Sequence, residues 1–385
     1  MTIARHKRSP GGQLPSTLPR FCIAFLMSES ELQKNRKAID ALDAEILALL
    51  NKRAEHARVI GRIKQENGAV ELYDPAREAE LLRRLSAANQ GPILKSQLYA
   101  IYREIVSACL ALEQTQHICY LGPEGTFTHM AALKHFGQSA QFSYRTTIID
   151  LFDALGKDEC DYVVAPIENS TEGMVSLTID MLAGRDLFII GELEIPIRHC
   201  LLGQSGLDLD AIKEVHAHEQ ALSQCRHWLR ENMPHATLHK QPSNGVAVQM
   251  ALNHNNAAAV GAQVNAQLYN LSIIANNVQD IAGNKTRFVV LGKRAVAATG
   301  KDKTALLFAV LHKPGALYRA LGEFAKEGID LTRLESRPLK TASWSYSFFV
   351  ELRGHISDEH IARAVEGIEV ECSFVKFLGS YPSIS

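Results

Sequence analysis

The sequence predicts three domains of different fold class in a row: an all-helical segment over residues 28–115, an α/β segment over 117–293 and a ferredoxin-like βαββαβ unit over 304–382. Three observations predict them. Apolar residues recur at three- and four-residue steps through the first segment. At His117 that pattern gives way to short apolar runs alternating with helical stretches, the grammar of an α/β domain. After residue 303 the order is strand, helix, strand, strand, helix, strand. With 385 residues the chain exceeds the size at which a single core stops growing, so several domains are expected on length alone.

The elements follow in order. Ile39, Leu42, Ile46, Leu49, Leu50, Ala57, Ile60 and Ile63 line one side of a long amphipathic helix from Glu31 to Gln65. Asn67 and Gly68 break it. Pro75, which suits a first helical turn, opens a second helix through Leu85, and a third, Lys95 to Gln114, carries Leu98, Ile101, Ile105, Ala108 and Leu112 on one side. In the α/β segment the buried strands are placed at Ile118–Leu121, Tyr162–Pro166, Leu187–Ile190, Ala257–Val260 and Phe288–Leu291. Arg294 to Lys303 is expected to be a linker. The final unit is assigned strands at Thr304–Leu311, Ile329–Arg337, Trp344–Leu352 and Val370–Leu378, with helices at Ala316–Lys326 and Asp358–Glu366.

Composition narrows the function classes. A formal net charge of -1 gives no electrostatic case for nucleic acid. No apolar run approaches the roughly 18 residues of a membrane span. Seven cysteines, odd in number and without a C-x-x-C pair, argue against a disulfide framework or a zinc site and fit a reducing cytoplasm. Residues 1–27 carry Arg5, Lys7, Arg8 and Arg20 without an acid, then a short apolar stretch. They are expected to be a disordered extension, or to precede the true start at Met27.

Several residue groups carry chemistry. Arg36, Arg53 and Lys64 are either the solvated side of an amphipathic helix or ligands for a small dianion. In the second case Arg36, about 25 Å from Arg53 and rotated from it by roughly 100°, reaches the same ligand only from a second copy of the chain. The stretch Cys119 to Thr128, with Gly122 and Gly125, is a strand, a Gly-rich turn and a helix start, which serves either an anion or plain chain geometry. Glu168, Asn169, Ser170, Thr171 and Glu172 are five polar side chains in a row after an apolar strand. Turn chemistry accounts for one or two of them, and the rest predict a polar site at the strand's C-terminal end. His216 and His218 alternate on a strand, but no further ligand follows at metal spacing, so they are assigned as buried or edge histidines with no metal. Gly315 before a helix is a turn glycine or a point of close backbone approach to a ligand.

The run from Arg36 to Arg53, with Lys64, Asp74, Arg77 and Glu78, resembles the all-helical chorismate mutase family. That resemblance implies an intertwined homodimer in which the partner's Arg36 and this chain's Arg53 hold the carboxylates of chorismate. Lys64 and Glu113 would meet the ether oxygen, Asp74, Arg77 and Glu78 the ring hydroxyl, and Cys109 would complete the substrate-binding set. Cys109 stands where some members carry Ser, and Glu113 where the best-studied bacterial pattern has Gln. Glu113 donates only when protonated, so either burial raises it above its usual value of about 4.3 or the mutase favours acid pH.

The Gly122 and Glu168 segments, with His218 to Cys225 and the Thr286, Arg287, Phe288 triplet, resemble the prephenate dehydratase family. Two α/β lobes like those of the two-lobed periplasmic binding proteins are implied, with prephenate in the cleft. Thr286 would donate to the departing hydroxyl, Glu168, Asn169, Ser170, Thr171 and Gln220 would position the substrate, and Arg287 would be a carboxylate clamp or a structural support. Glu219 stands where the family usually has Pro. Gly315, Ala316 and Leu317, with Glu335, Ser336, Arg337 and Pro338, resemble the ACT regulatory domains that bind amino acids between paired subunits. The implied effector is phenylalanine. The whole implies a cytoplasmic, cofactor-free bifunctional enzyme of phenylalanine biosynthesis acting on chorismate and prephenate.

Overall fold

The computed structural model describes residues 20–66, 73–311, 313–338 and 346–384, with side chains from Glu29 onward. The chain divides after His56 into two compact units, each described by itself. Residues 1–19 lie outside the described residues, and with them most of the expected N-terminal extension. Helix backbone begins at Arg20, ahead of Met27, so residues 20–27 are helical rather than unstructured.

The first helix, α1 (Arg20–Glu66), is one uninterrupted element of 47 residues, about 70 Å at 1.5 Å per residue. In the first unit its apolar side is open: Ile39, Leu42, Ile46 and Leu49 are each more than half exposed. In the second unit come α2 (Pro75–Ala88) and α3 (Lys95–Glu113). Asp74 caps α2, its Oδ1 accepting from the Arg77 amide at 3.0 Å, and Pro75 fills the first turn, where no amide hydrogen is needed.

The α/β region is two lobes. The first contains β1 (His117–Leu121), α4 (Phe127–Phe136), β2 (Gln141–Arg145), α5 (Ile148–Gly156), β3 (Tyr162–Asn169), β4 (Gly173–Met174), α6 (Ser176–Ala183) and β5 (Phe188–Pro196). The second contains β6 (Cys200–Gly203), a short 3-10 turn, β7 (Glu214–His218), α7 (Glu219–Gln224), α8 (Arg226–Asn232), β8 (Thr237–Gln241), α9 (Asn244–Asn253), β9 (Ala257–Gly261), α10 (Val264–Leu268) and β10 (Ser272–Ala275). The chain then returns to the first lobe as β11 (Lys285–Gly292). Sheet order is β2-β1-β3-β11-β5, with β4 on β3, in the first lobe and β10-β6-β9-β7-β8 in the second. The central position of β11 is the consequence that matters, because it brings the late Thr286 beside the end of β3.

The last domain is β12 (Asp302–Val310), α11 (Ala316–Lys326), β13 (Leu331–Pro338), β14 (Tyr346–Arg353), α12 (Glu359–Glu371) and β15 (Cys372–Pro382), ordered β13-β14-β12-β15. That is the βαββαβ unit as expected. Its helices cover one face through Phe308, Ala320, Phe324, Val350 and Ile361. The other face shares a core with the first lobe, where Ala305, Leu307, Phe349, Leu378 and Tyr381 pack with Phe152, Ile167 and Val289. Gly379 admits the close crossing of β15 over β5: a Cβ there would lie 2.2 Å from the Ile189 carbonyl oxygen. The stretch expected to be a linker is packed as well. Val296 is buried, and the Thr299 amide and hydroxyl both donate to Asp302, each at 2.7 Å.

Candidate active sites

Thr286 and Asn169 are opposite one another in the β11–β3 register, both buried, with the Asn169 Nδ2 donating to the Thr286 Oγ1 at 2.9 Å. Asn169 is itself held. Its Oδ1 accepts from the Thr171 amide at 3.0 Å, the Thr171 hydroxyl at 2.6 Å and the Glu172 amide at 3.2 Å. One amide side chain therefore closes the turn after β3 and fixes which side of the Thr286 hydroxyl accepts. The hydroxyl proton is left to point elsewhere. Ser170 latches the same turn to β11, accepting from the Lys285 amide at 3.0 Å and donating to Asn284 Oδ1 at 3.1 Å. Ser170 and Thr171, expected among the substrate-positioning groups, thus spend their hydroxyls on the turn.

Glu168 and Arg287 face away from the Asn169–Thr286 pair. Each is one residue along its strand from Asn169 or Thr286, so the two-residue period sends both to the opposite face of the sheet. Arg287 Nη1 meets Glu192 at 3.0 Å and both oxygens of Glu351 at 2.7 and 2.8 Å, while its Nε is 3.2 Å from Glu168. Arg333 joins Glu168, Lys303 pairs with Glu192 at 2.8 Å, and the Tyr381 hydroxyl donates to Glu351 at 2.8 Å. Burial works against the charge on Arg287, but Glu351 and Glu192 outweigh it and its pKa rises. Arg287 and Glu168 belong to a buried ionic seam between the first lobe and the last domain.

Across the cleft, Gln220 at the start of α7 donates to Glu172, and Gln224 Nε2 donates to the other Glu172 oxygen at 3.0 Å. Gln224 Oε1 in turn lies 2.9 Å from His199 Nε2. Glu172, Gln224 and His199 were not assigned roles from the sequence. Glu172 was visible at the end of its polar run, whereas His199 stands alone and gave no signal. In the Gly-rich turn, Gly125 is engaged through both its amide and its carbonyl. The Gly125 amide donates to His129 Nδ1 at 3.2 Å, and the Gly125 carbonyl accepts from Asn265 of the second lobe at 3.0 Å. Burial lowers the pKa of His129, keeping the ring neutral and able to accept. Gly125 has φ +77°, and a Cβ would fall 1.7 Å from Asn265 Oδ1, so glycine serves lobe contact here.

In the helical region of the second unit, Gly61 of α1 packs on the Glu113 backbone of α3, where a Cβ would approach to 3.0 Å. This places Lys64 Nζ 3.8 Å from Glu113 Oε2. In the first unit Arg36 is exposed and Arg53 half-buried. Cys109 is buried on α3. Asp74 is committed to the α2 cap through one oxygen. Glu78 is buried and paired with Arg103, in a seam where Tyr73 packs on α4 and its hydroxyl lies 2.9 Å from His135 Nε2. Burial raises the pKa of Glu78 against the opposing pull of Arg103.

Burial drives His135 well below its usual 6.5. Its sign is that of a depressed group: the unfolded state takes up the proton first as pH falls, so the stability held at neutral pH is lost progressively below about 6.5. The denaturant midpoint is expected to decline over that range less steeply in His135→Phe than in the parent protein, which a urea titration at stepped pH would check.

Of the ACT-type residues, Gly315 has φ +77° and precedes α11, as a residue without a side chain must. Ala316 is buried at the helix start and Leu317 packs on the domain core. On the edge strand β13, Glu335 pairs with Arg333 at 3.4 Å, and Ser336 and Pro338 are exposed. Arg337 instead reaches the first lobe, donating to the Ser176 carbonyl and to Asp180, each at 2.7 Å. Its Nη2 is therefore engaged within the chain.

His216 and His218 do not form a pair. His218 Nδ1 accepts from the Gln220 amide at 3.3 Å and caps α7, while His216 faces Glu214 and His254. Among the described residues no helix is long and apolar enough to cross a membrane.

Comparison with known families covers all three regions. Chorismate mutase type II matches residues 35–114, prephenate dehydratase 118–296 and the ACT domain 304–370. The bifunctional chorismate mutase/prephenate dehydratase of Aquifex aeolicus is 44% identical over 91% of this chain and 98% of its own. Among solved structures, a prephenate dehydratase from Arthrobacter aurescens in complex with L-Phe matches 69% of this chain and 90% of its own at 33% identity and TM-score 0.63. GqqA, described as a novel type of quorum quenching acylase, matches 70% and 98% at 28% identity and the same TM-score.

Proposed function

The chain belongs to the family of bifunctional chorismate mutase/prephenate dehydratases, and from that premise we propose how its residues divide the work. Residues 28–115 rearrange chorismate to prephenate, residues 117–293 convert prephenate to phenylpyruvate with loss of water and carbon dioxide, and residues 304–382 bind phenylalanine and inhibit.

The rearrangement needs a compact substrate conformation and positive charge where the breaking C–O bond becomes electron-rich. Lys64 supplies that charge beside Glu113, and Arg53 with the partner's Arg36 holds the carboxylates. A homodimer accounts for the open apolar side of α1, which the chain leaves uncovered in its first unit. Protonated Glu113 donates to the ether oxygen. Glu113→Gln, which keeps a donor, is expected to retain mutase activity and Glu113→Ala to lose it; a flat mutase pH profile combined with full activity in Glu113→Ala rules the donor out.

Dehydration needs help for a leaving hydroxide and a grip on two carboxylates, and the gain of an aromatic ring drives the rest. The observation that carries the assignment is the Asn169–Thr286 hydrogen bond, in which the Thr286 oxygen accepts, so that its own proton stays available as a donor within a relay. Gln220, with Glu172, closes the far side. Phenylalanine at Gly315 to Leu317 and Glu335 to Pro338, between paired subunits, shifts the equilibrium of the cleft. Product analysis after incubation with chorismate tests the whole. Phenylpyruvate that disappears on adding phenylalanine is expected, accumulating prephenate would refute the Thr286 site, and untouched chorismate with added prephenate still consumed would refute the mutase.

A further inference from the structure

Away from the cleft, three side chains of the second lobe converge on one point. Glu214 and His216 stand two apart on β7 and so share a face. The end of α9 delivers His254 to them from 40 residues away. Glu214 Oε2 lies 3.3 Å from His216 Nε2 and 3.3 Å from His254 Nδ1, and all three atoms fall within 4.8 Å of one another. Ligand atoms bound about 2.0–2.1 Å from a tetrahedral ion stand about 3.3 Å apart. Two of the three edges are therefore at ligand spacing already, and the half-exposed His254 closes the third by a small rotation.

His216 supplies a second, independent observation. It is 3% exposed, and among the described residues its Nε2 makes no well-aligned hydrogen bond: the Glu214 carboxylate it faces at 3.3 Å is its polar neighbour there, although buried polar groups ordinarily find an aligned partner. Its Nδ1 lies 3.0 Å from the Gln241 side-chain amide. With that amide turned so that its oxygen faces the ring, Nδ1–H donates and Nε2 presents a lone pair to Glu214 and His254, the outer support typical of a metal-bound histidine. His239 stacks on the ring at 4.9 Å and fixes its plane.

We propose that Glu214, His216 and His254 bind one divalent transition-metal ion of the zinc class, with Gln241 orienting His216 and water completing the coordination. Two imidazoles with one carboxylate favour zinc, cobalt or nickel over magnesium or calcium. The site lies at the N-terminal end of β7, while Gln220 follows its C-terminal end, so the ion ties β7 to α9 and takes no part in either reaction.

The test uses the full-length protein, stripped with a chelator and dialysed, and titrated with zinc chloride by calorimetry. Glu214→Gln/His254→Ala changes two side chains that are both more than a third exposed, so the fold should survive, which circular dichroism checks. The parent protein is expected to take up one equivalent more than this variant, and Gln241→Ala to weaken that equivalent about 10–100-fold. Cobalt chloride should give the intense visible bands of tetrahedral coordination, without thiolate charge-transfer bands, in the parent alone. Equal uptake of zinc by parent and double variant, or a cobalt spectrum that survives in the variant, overturns the site and leaves a hydrogen-bonded His-Glu-His cluster.

Discussion

Thr286→Ala is expected to lower kcat for prephenate conversion by about 10²–10³-fold, the usual consequence of removing one positioned donor from a developing negative charge, while chorismate consumption by the same protein stays unchanged. The reasoning rests on direction rather than acidity. A threonine hydroxyl is too weak an acid to give up its proton unaided. It is useful only if the proton points at the leaving group, and the 2.9 Å bond from Asn169 occupies the accepting side of the oxygen. Thr286→Ser keeps the donor but loses the branch that restricts χ1, so an intermediate loss is expected. Asn169→Ala should lose activity and stability together: the Thr171 and Glu172 donors that meet its Oδ1 lose their acceptor, and each hydrogen bond exchanged for water costs about 0.5–1.5 kcal/mol. Separate assays of chorismate loss and of phenylpyruvate from added prephenate, with a denaturant midpoint for each variant, distinguish these outcomes. Parent-level dehydratase activity in Thr286→Ala would move the donor to another group.

How much of this was legible follows from what periodicity can and cannot carry. The long first helix, the bounds of α11 and the order of the last domain were written in apolar spacing, because each buries one continuous face. β2 and β8 were missed because both are sheet edges. Gln141 to Arg145 and Thr237 to Gln241 bury no residue fully and so show no apolar run. In the site, residue types pointed to Thr286 and Asn169, and their motif also named Glu168 and Arg287. The two-residue period of a strand turns neighbours on β3 and on β11 opposite ways, so the ionic partners of Glu168 and Arg287 lie on the other face and could not be read from the motif. The pairing of Glu78 with Arg103 and the packing of Tyr73 on α4 were not readable, because they belong to a seam between regions of different fold class that no local pattern encodes. The Glu214 and His254 pairing was likewise unreadable, because only the path of α9 closes the 40-residue gap between them.

The ionic seam carries the other large effect. Glu351 is 1% exposed and meets Arg287 Nη1 through both oxygens, so Glu351→Ala leaves a buried guanidinium short of its nearest counter-charge. Removing one partner of such a pair costs about 3–5 kcal/mol. Arg287 keeps Glu192 at 3.0 Å and Glu168 at 3.2 Å, which places the expected loss near the lower end of that range. Replacing both ends with apolar residues, Arg287→Leu/Glu351→Leu, removes the uncompensated charge and should recover a substantial part of the stability, since the desolvation penalty of the pair goes with it. Inhibition should not recover in parallel. Arg287 is the next residue after Thr286, and its guanidinium is held by Glu351 of the C-terminal domain, so this pair is a direct covalent and ionic route from that domain to the donor. The double variant is therefore expected to regain its denaturant midpoint yet keep dehydratase activity at saturating phenylalanine. If inhibition persists at the parent level once stability is restored, the coupling runs through the shared apolar core of Phe349, Leu378 and Val289 instead, and the seam only holds the two domains together.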